Sequence, residues 1–181
     1  MRRGQVRFSV LVAGVLALAG AAPVPVQAAQ AADPPSASTF VFPFQDKKIA
    51  TPKARWGISQ GVDVGTVGGT CGDQAVVVST DPGKVIREGI NAFGPDAPVI
   101  QVTSGPRAGR YIYYGYTKGD LVPVGAEVQA GQPITHVGCG SVGMSSTPRL
   151  EIGISLPGGP TCCPGVRQTS EQMYNWLAAA Y

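Results

Sequence analysis

The stretch Pro148-Arg149-Leu150-Glu151-Ile152-Gly153-Ile154 decides how this chain folds. Leu150, Ile152 and Ile154 alternate with Glu151, Gly153 and Ser155, so a strand is expected with one apolar face and one face carrying charge. A shorter stretch well upstream, Ser59-Gln60-Gly61-Val62-Asp63-Val64, belongs with it. Between them runs a Val/Gly-rich β pattern. Gln74-Ala75-Val76-Val77-Val78-Ser79 is a strand by its β-branched content. Asp81-Pro82-Gly83 turns the chain, Pro fixing φ and Gly tolerating positive φ, and residues 84–88 return as a partner strand. Residues 99–103 and Arg110-Tyr111-Ile112-Tyr113-Tyr114 follow as further strands. Residues 122–134 read as a compact hairpin unit with turns at Gly125 and Gly131, and with Val124, Val128 and Ile134 pointing inward. Near the end, Met173, Trp176 and Leu177 share one face of a helix expected over residues 169–177, with Thr169 or Ser170 as its cap.

Composition agrees with a strand-rich domain. The 181 residues hold 25 Gly and 16 Pro, and only 14% are charged, which favours short strands and tight turns over long helices. One core is expected at this length. A formal charge of +3 with no basic run or aromatic ladder excludes nucleic acid as a partner, while leaving room for a weak attraction to an anionic cell wall.

The first 32 residues read as an export signal. Arg2, Arg3 and Arg7 precede an apolar run at 8–22, and small residues follow in Val26-Gln27-Ala28 and Gln30-Ala31-Ala32. The apolar run is shorter than the ~20 residues of a bilayer span, so cleavage is expected rather than a retained anchor. That makes the mature protein secreted, extracellular or wall-located, with no membrane association. Residues 33–54, with Pro34, Pro35 and Pro43, are expected to be a flexible segment in which residues 39–42 dock on the body. The body spans residues 55–181.

Export also bears on Cys71, Cys139, Cys162 and Cys163. No pair has CxxC spacing, and the adjacent Cys162 and Cys163 are poorly placed to chelate a metal together, so disulfides are expected. Four cysteines allow three complete pairings.

The order of these parts resembles the lysostaphin-type zinc metallopeptidases, which cut peptide cross-links of bacterial cell walls. That family runs HxGxD, a strand ending YxH, a V-x-V-G-x-x-V-x-x-G-Q unit and HxH on a last core strand. Here the corresponding pieces are Ser59 to Asp63, Tyr114-Gly115-Tyr116, residues 122–132 and Arg149-Leu150-Glu151. The resemblance implies a mainly β fold, an antiparallel sheet or sandwich with an open groove, plus a short C-terminal helix. It also places Cys71 and Cys139 in loops near one groove, which favours bonding them to each other. Cys162 and Cys163 are then joined together, or one of them is left unpaired.

Position by position, the resemblance puts Ser59 where the first metal histidine stands and retains Asp63. It puts Tyr116 at the YxH histidine, and Arg149 and Glu151 at the HxH pair. Zinc takes nitrogen, sulfur or carboxylate donors with one open position, and a fixed guanidinium among them opposes a cation. No zinc or other cofactor is therefore expected, and no catalytic residue. Arg149 is instead expected to pair with Asp63 or Glu151. Tyr113, Tyr114 and Tyr116 with Arg149 would line the groove, as residues suited to sugar faces and peptide carboxylates. His136, the lone histidine, lies at none of the matching positions and reads as a solvent-facing strand residue. No G-x-S-x-G elbow supports a serine hydrolase.

The expected function is a catalytically inactive, peptidase-like secreted domain that binds cell-wall peptidoglycan or regulates a wall hydrolase. Three other readings stay open. They are a hydrolase whose altered metal site uses Asp63 and Glu151 with a hard cation, a glycosidase that uses the same two carboxylates, and a purely structural secreted module.

Overall fold

The computed structural model describes residues 40–181, so the export signal expected at 1–32 and the first part of the 33–54 segment lie outside the described residues. Ten strands and one α-helix are formed: β1 Gly57–Ile58, β2 Val62–Gly65, β3 Val76–Val78, β4 Gly83–Ile90, β5 Gly94–Val102, β6 Tyr111–Gly115, β7 Thr117–Lys118, β8 Glu127–Val128, β9 Pro133–Val137, β10 Arg149–Ile154 and α1 Ser170–Ala180. Seven strands make one sheet in the order β1-β2-β10-β6-β5-β4-β8, and three make another in the order β3-β9-β7. The ladders are antiparallel. This is the mainly β architecture expected, with one short α-helix among the described residues, at their C-terminal end.

The period-2 patterns explain the layering. Val62 and Val64 of β2, Ile112 and Tyr114 of β6, and Leu150, Ile152 and Ile154 of β10 all turn to one side of the large sheet. There they meet Val77, Ile134 and Val137 of the small sheet and Met173 and Leu177 of α1. Burying each such side chain stabilises by roughly 1.5–3 kcal/mol. A second cluster forms on the opposite face from Ile90, Phe93, Ala97, Val99, Tyr113 and Tyr116. That second face carries the site.

Three expectations need correction. The docking expected of residues 39–42 is found from Phe40 onward but reaches further into the segment read as flexible: Phe42 and Phe44 are buried, and Phe42 stacks on Trp56 at 5.8 Å and meets Tyr181 at 5.1 Å. The Pro43 carbonyl accepts from Val78 N–H at 2.8 Å, and Gln45 N–H donates to Val76 at 3.0 Å, so the segment covers the β3 edge. The 122–134 unit is not a hairpin of its own. β8 joins β4 in the large sheet and β9 joins β3 and β7 in the small one. Val128 and Ile134 are buried as expected, but Val124 is exposed because it lies in the connection rather than on a strand. At α1, Thr169 occupies the cap position, yet its hydroxyl donates to the Ile154 carbonyl at 2.6 Å instead of capping the helix.

The Asp81-Pro82-Gly83 turn does more than reverse the chain. Asp81 is buried and accepts from Arg107 at 2.7 Å, while the Arg107 guanidinium lies over the rings of Phe40 and Trp176. This pair ties the turn before β4 to the N-terminal segment and to α1. Among the described residues, no helix is long and apolar enough to cross a membrane.

Candidate functional site

Register brings the site together. β2 and β10 pair so that Asp63 stands opposite Glu151 and Gly65 opposite Arg149. On the other side of β10, Gly115 of β6 faces Glu151 and Tyr113 faces Gly153. Because side chains alternate, Arg149, Glu151, Asp63 and Tyr113 share the face turned away from Leu150 and Ile152. Gly153 matters here: the Tyr113 ring lies over it, in space that a Cβ would occupy.

Arg149 lies at the centre. Its Nε is 3.0 Å from Asp63 Oδ1, and its guanidinium carbon is 4.6 Å from the centre of the Tyr116 ring. The Nε–H is misaligned with the oxygen, so both atoms are buried without a directed hydrogen bond, and the pair attracts chiefly by charge. Ser59 Oγ donates to the other Asp63 oxygen at a long 3.5 Å. Glu151 is 3% exposed, and its Oε1 accepts from Gly61 N–H at 3.1 Å and from Tyr113 O–H at 3.0 Å.

Tyr116 follows β6 with φ +63°, a left-handed conformation that non-glycine residues seldom adopt. Two backbone bonds hold it: Tyr116 N–H to Phe93 at 2.7 Å, and Gly138 N–H to the Tyr116 carbonyl at 3.0 Å. The Phe93 ring backs it at 5.3 Å. Arg149 thus rests on a ring that is itself braced.

The carboxylates are poorly solvated. Burial pushes the Asp63 carboxyl above its usual range, and the Arg149 charge and the Ser59 hydroxyl offset this only in part. Glu151 is also raised, first by burial and then by the Asp63 charge, against the hydrogen bonds it accepts from Tyr113, Ser59 and Gly61. The Tyr113 hydroxyl is raised by burial and by Glu151, so it remains a protonated donor.

All five positions expected to form the degenerate site therefore converge: Ser59, Asp63, Tyr116, Arg149 and Glu151. The two tyrosines assigned to the groove lining do not line it. Tyr113 is buried beneath Glu151. Tyr114 points the other way, into the core, where its hydroxyl accepts from Thr80 N–H at 2.9 Å and burial pushes its pKa up to about 12. Adjacent strand residues face opposite sides, so both could not line one groove, and the outer face is itself covered by Ile90 and Phe93. His136 sits apart on β9 and is half-buried rather than solvent-facing, with Nε2 3.8 Å from Asp73.

Sequence reasoning missed Phe93, which braces both Tyr113 and Tyr116, and Gly61, whose N–H holds Glu151. Nothing in the local pattern around Phe93 marked it, but Gly61 lies inside the quoted 59–64 stretch. Both pairs of cysteines are bonded, Cys71 with Cys139, the pairing favoured above, and Cys162 with Cys163.

The donor set does not fit zinc. Two carboxylates and a weakly placed hydroxyl remain, with a guanidinium against one carboxylate. Among the described residues, no group of three or more His, Cys, Asp or Glu side chains is placed to hold a metal.

The sequence matches no protein-family model and no curated protein. Solved structures do match. The solution structure of lysostaphin superposes with a TM-score of 0.51 at 19% identity, over 80% of this chain and 56% of that one. A LytM-type protein from Ruminococcus gnavus, described as a glycyl-glycine endopeptidase, gives 0.52 at 21%, over 79% of this chain and 62% of that one. The SpoIIQ–SpoIIIAH pore-forming complex gives 0.53 at 15%, over 68% of this chain and 87% of the matched one. At these identities the likeness concerns the fold. The chain has the fold of the lysostaphin-type peptidases.

Proposed function

We propose that this chain is a secreted, non-catalytic peptidase-like domain that binds cell-wall peptidoglycan through a carboxylate of its peptide. The observation that carries this reading is the state of Arg149. Its guanidinium is oriented by Tyr116 and Asp63, its side chain is 31% exposed, and among the described residues its Nη atoms have no hydrogen-bond partner. A planar, pre-oriented guanidinium with free donors suits a carboxylate taken end-on through two parallel bonds. A glycan is the poorer fit, because Tyr113, Tyr114 and Tyr116 are all buried and offer no ring face for a sugar. Catalysis has no support here: Glu151 is occupied by Gly61 and Tyr113, Asp63 faces a cation, and no histidine stands nearby to move a proton.

Co-sedimentation with isolated peptidoglycan tests the reading. The wild-type chain is expected in the pellet, and the combined Arg149→Ala/Tyr116→Ala variant is expected largely in the supernatant. Equal pellet fractions would remove the basis for the site. Clearing of a wall suspension that stops on adding a chelator would overturn the non-catalytic part. A second reading, regulation of a wall hydrolase by direct contact, draws support from the likeness to a fold found in a two-protein complex. Capture of a purified hydrolase with no binding to the wall itself would favour it.

A further inference from the structure

Cys162 and Cys163 are chain neighbours, so their disulfide closes no length of chain and holds no distant parts together. What it does shape is a short strap between β10 and α1. The strap is tied to the site at two points: Gln60 Nε2 donates to the Pro164 carbonyl at 3.1 Å, and Arg167 N–H donates to the Ser59 carbonyl at 3.0 Å. These bonds hold the turn that carries Ser59 and Gly61, and the Gly61 N–H is the one that fixes Glu151. The two half-buried cysteines also pack on the cluster of Ile90, Phe93 and Tyr116, the ring under Arg149. They form one wall of an open cleft of about 280 Å³ that Gln60, Arg87 and Phe93 also line. The disulfide therefore borders an open cleft and packs on the cluster under Arg149, while the strap that carries it is bonded to the Ser59/Gly61 turn through Pro164 and Arg167.

We propose that the Cys162–Cys163 disulfide is a redox modification site that takes a dithiol, and that its reduction releases the strap and loosens the Ser59/Gly61 turn. A thiolate of the dithiol attacks one cysteine sulfur, the Cys162–Cys163 bond breaks, and a mixed disulfide forms. The second thiol of the reductant displaces it. The dithiol leaves as a cyclic disulfide, and two electrons and two protons have passed to give two cysteine thiols. The Cys71–Cys139 bond responds differently, because it spans 68 residues and native structure holds its two ends together. The consequence for ligand capture rests on the binding reading above; the release of the strap does not.

The test is graded reduction of the full chain with dithiothreitol, followed by iodoacetamide alkylation, peptide mass spectrometry and amide hydrogen exchange. The expected result is alkylation of Cys162 and Cys163 at concentrations that leave Cys71–Cys139 intact, with the Gly61 and Arg167 amides exchanging at least 10-fold faster. The Cys162→Ser/Cys163→Ser variant should show the same faster exchange without reductant. Reduction of both disulfides together, or reduction of Cys162–Cys163 with unchanged exchange at Gly61 and Arg167, would overturn the proposal. Failure of wall binding in oxidised and reduced chains alike would count only against the binding reading.

Discussion

Arg149 and Asp63 lie on facing strands but not opposite each other: Arg149 stands across from Gly65, two residues further along β2. The arginine side chain must therefore run along the sheet to bring Nε within 3.0 Å of Oδ1, and it arrives with its N–H off line. The contact is one of charge rather than of directed bonding. This leaves the outer edge of the guanidinium turned to solvent instead of spent on a protein carboxylate.

That geometry separates two roles for Arg149. If the side chain only neutralises Asp63, Arg149→Lys should keep wall binding. If the fork receives a carboxylate, lysine cannot reproduce two parallel bonds or the stacking on Tyr116. We expect Arg149→Lys to lose about 10-fold in affinity and Arg149→Ala about 10- to 100-fold, from the ~1.5–3 kcal/mol of a charged hydrogen bond. Both should cost no more than about 1–2 kcal/mol in stability, since the pair is partly exposed. Isothermal titration with a soluble wall peptide distinguishes the roles, and full binding by the lysine variant would exclude the fork.

Asp63 and Glu151 set a pH dependence of opposite sign to the usual salt-bridged carboxylate. Both folded pKa values are raised above the ordinary 3.8 and 4.5. The folded chain thus holds more protons than the unfolded chain between those values and the raised ones, and its stability falls as pH rises through that window. Their stabilising share is complete below the unfolded values and gone above the folded ones. Glu151→Gln keeps an oxygen to accept from Gly61 and Tyr113 but removes the charge. Urea unfolding at intervals upward from the ordinary carboxylate values of 3.8 and 4.5 should show the wild type losing midpoint as the raised groups ionise and the variant losing less, with the variant the more stable once Glu151 is ionised in the wild type. Parallel curves for the two proteins would show that Glu151 is not the source.

Much of this site could be read before any fold was known, in part from strand alternation and in part from the resemblance to the lysostaphin-type peptidases. A strand's side-chain period is fixed at two residues, so Arg149 and Glu151 had to share a face; that Ser59 and Asp63 lie beside them is what the resemblance to the lysostaphin-type peptidases implies. What escaped were contacts that no local pattern encodes. Phe93 reaches Tyr116 only because a turn between β4 and β5 folds under β6. The prolines around Phe42 point to a flexible segment docked only at residues 39–42, although Phe40, Phe42 and Phe44 alternate as a strand-like segment does. Their partners, Trp56, Trp176 and Tyr181, come from later in the chain and from its far end. The alternation was a usable signal, outweighed by the prolines.

Tyr116 offers a test of the brace beneath Arg149. Its ring is 4% exposed, and it lies between the guanidinium and Phe93. Tyr116→Phe keeps the ring and should change stability by less than about 0.5 kcal/mol, with wall binding retained. Tyr116→Ala removes the ring from a packed position and should cost about 3 kcal/mol. It should also free Arg149 to move and lower wall binding even at temperatures where the variant stays folded. Denaturant titration together with co-sedimentation checks both. Loss of binding in the phenylalanine variant would mean that the hydroxyl, not the ring, is what matters.

The two disulfides make a final contrast in what a cross-link does for a fold. Cys71–Cys139 joins positions 68 residues apart, linking the loop before β3 to the segment that leads into β10 and Arg149. In the chain-entropy account, closing a loop of that length destabilises the unfolded state by about 4 kcal/mol, whereas a bond between neighbouring residues removes almost no unfolded freedom. Cys71→Ser/Cys139→Ser should therefore lower unfolding stability by several kcal/mol. Cys162→Ser/Cys163→Ser should lower it by less than about 1 kcal/mol while still disturbing the Ser59/Gly61 turn. Guanidinium unfolding of the two double variants under oxidising conditions measures the difference. Equal losses would mean that the neighbouring cysteines serve global stability, and the strap would then be a structural element and not a separable one.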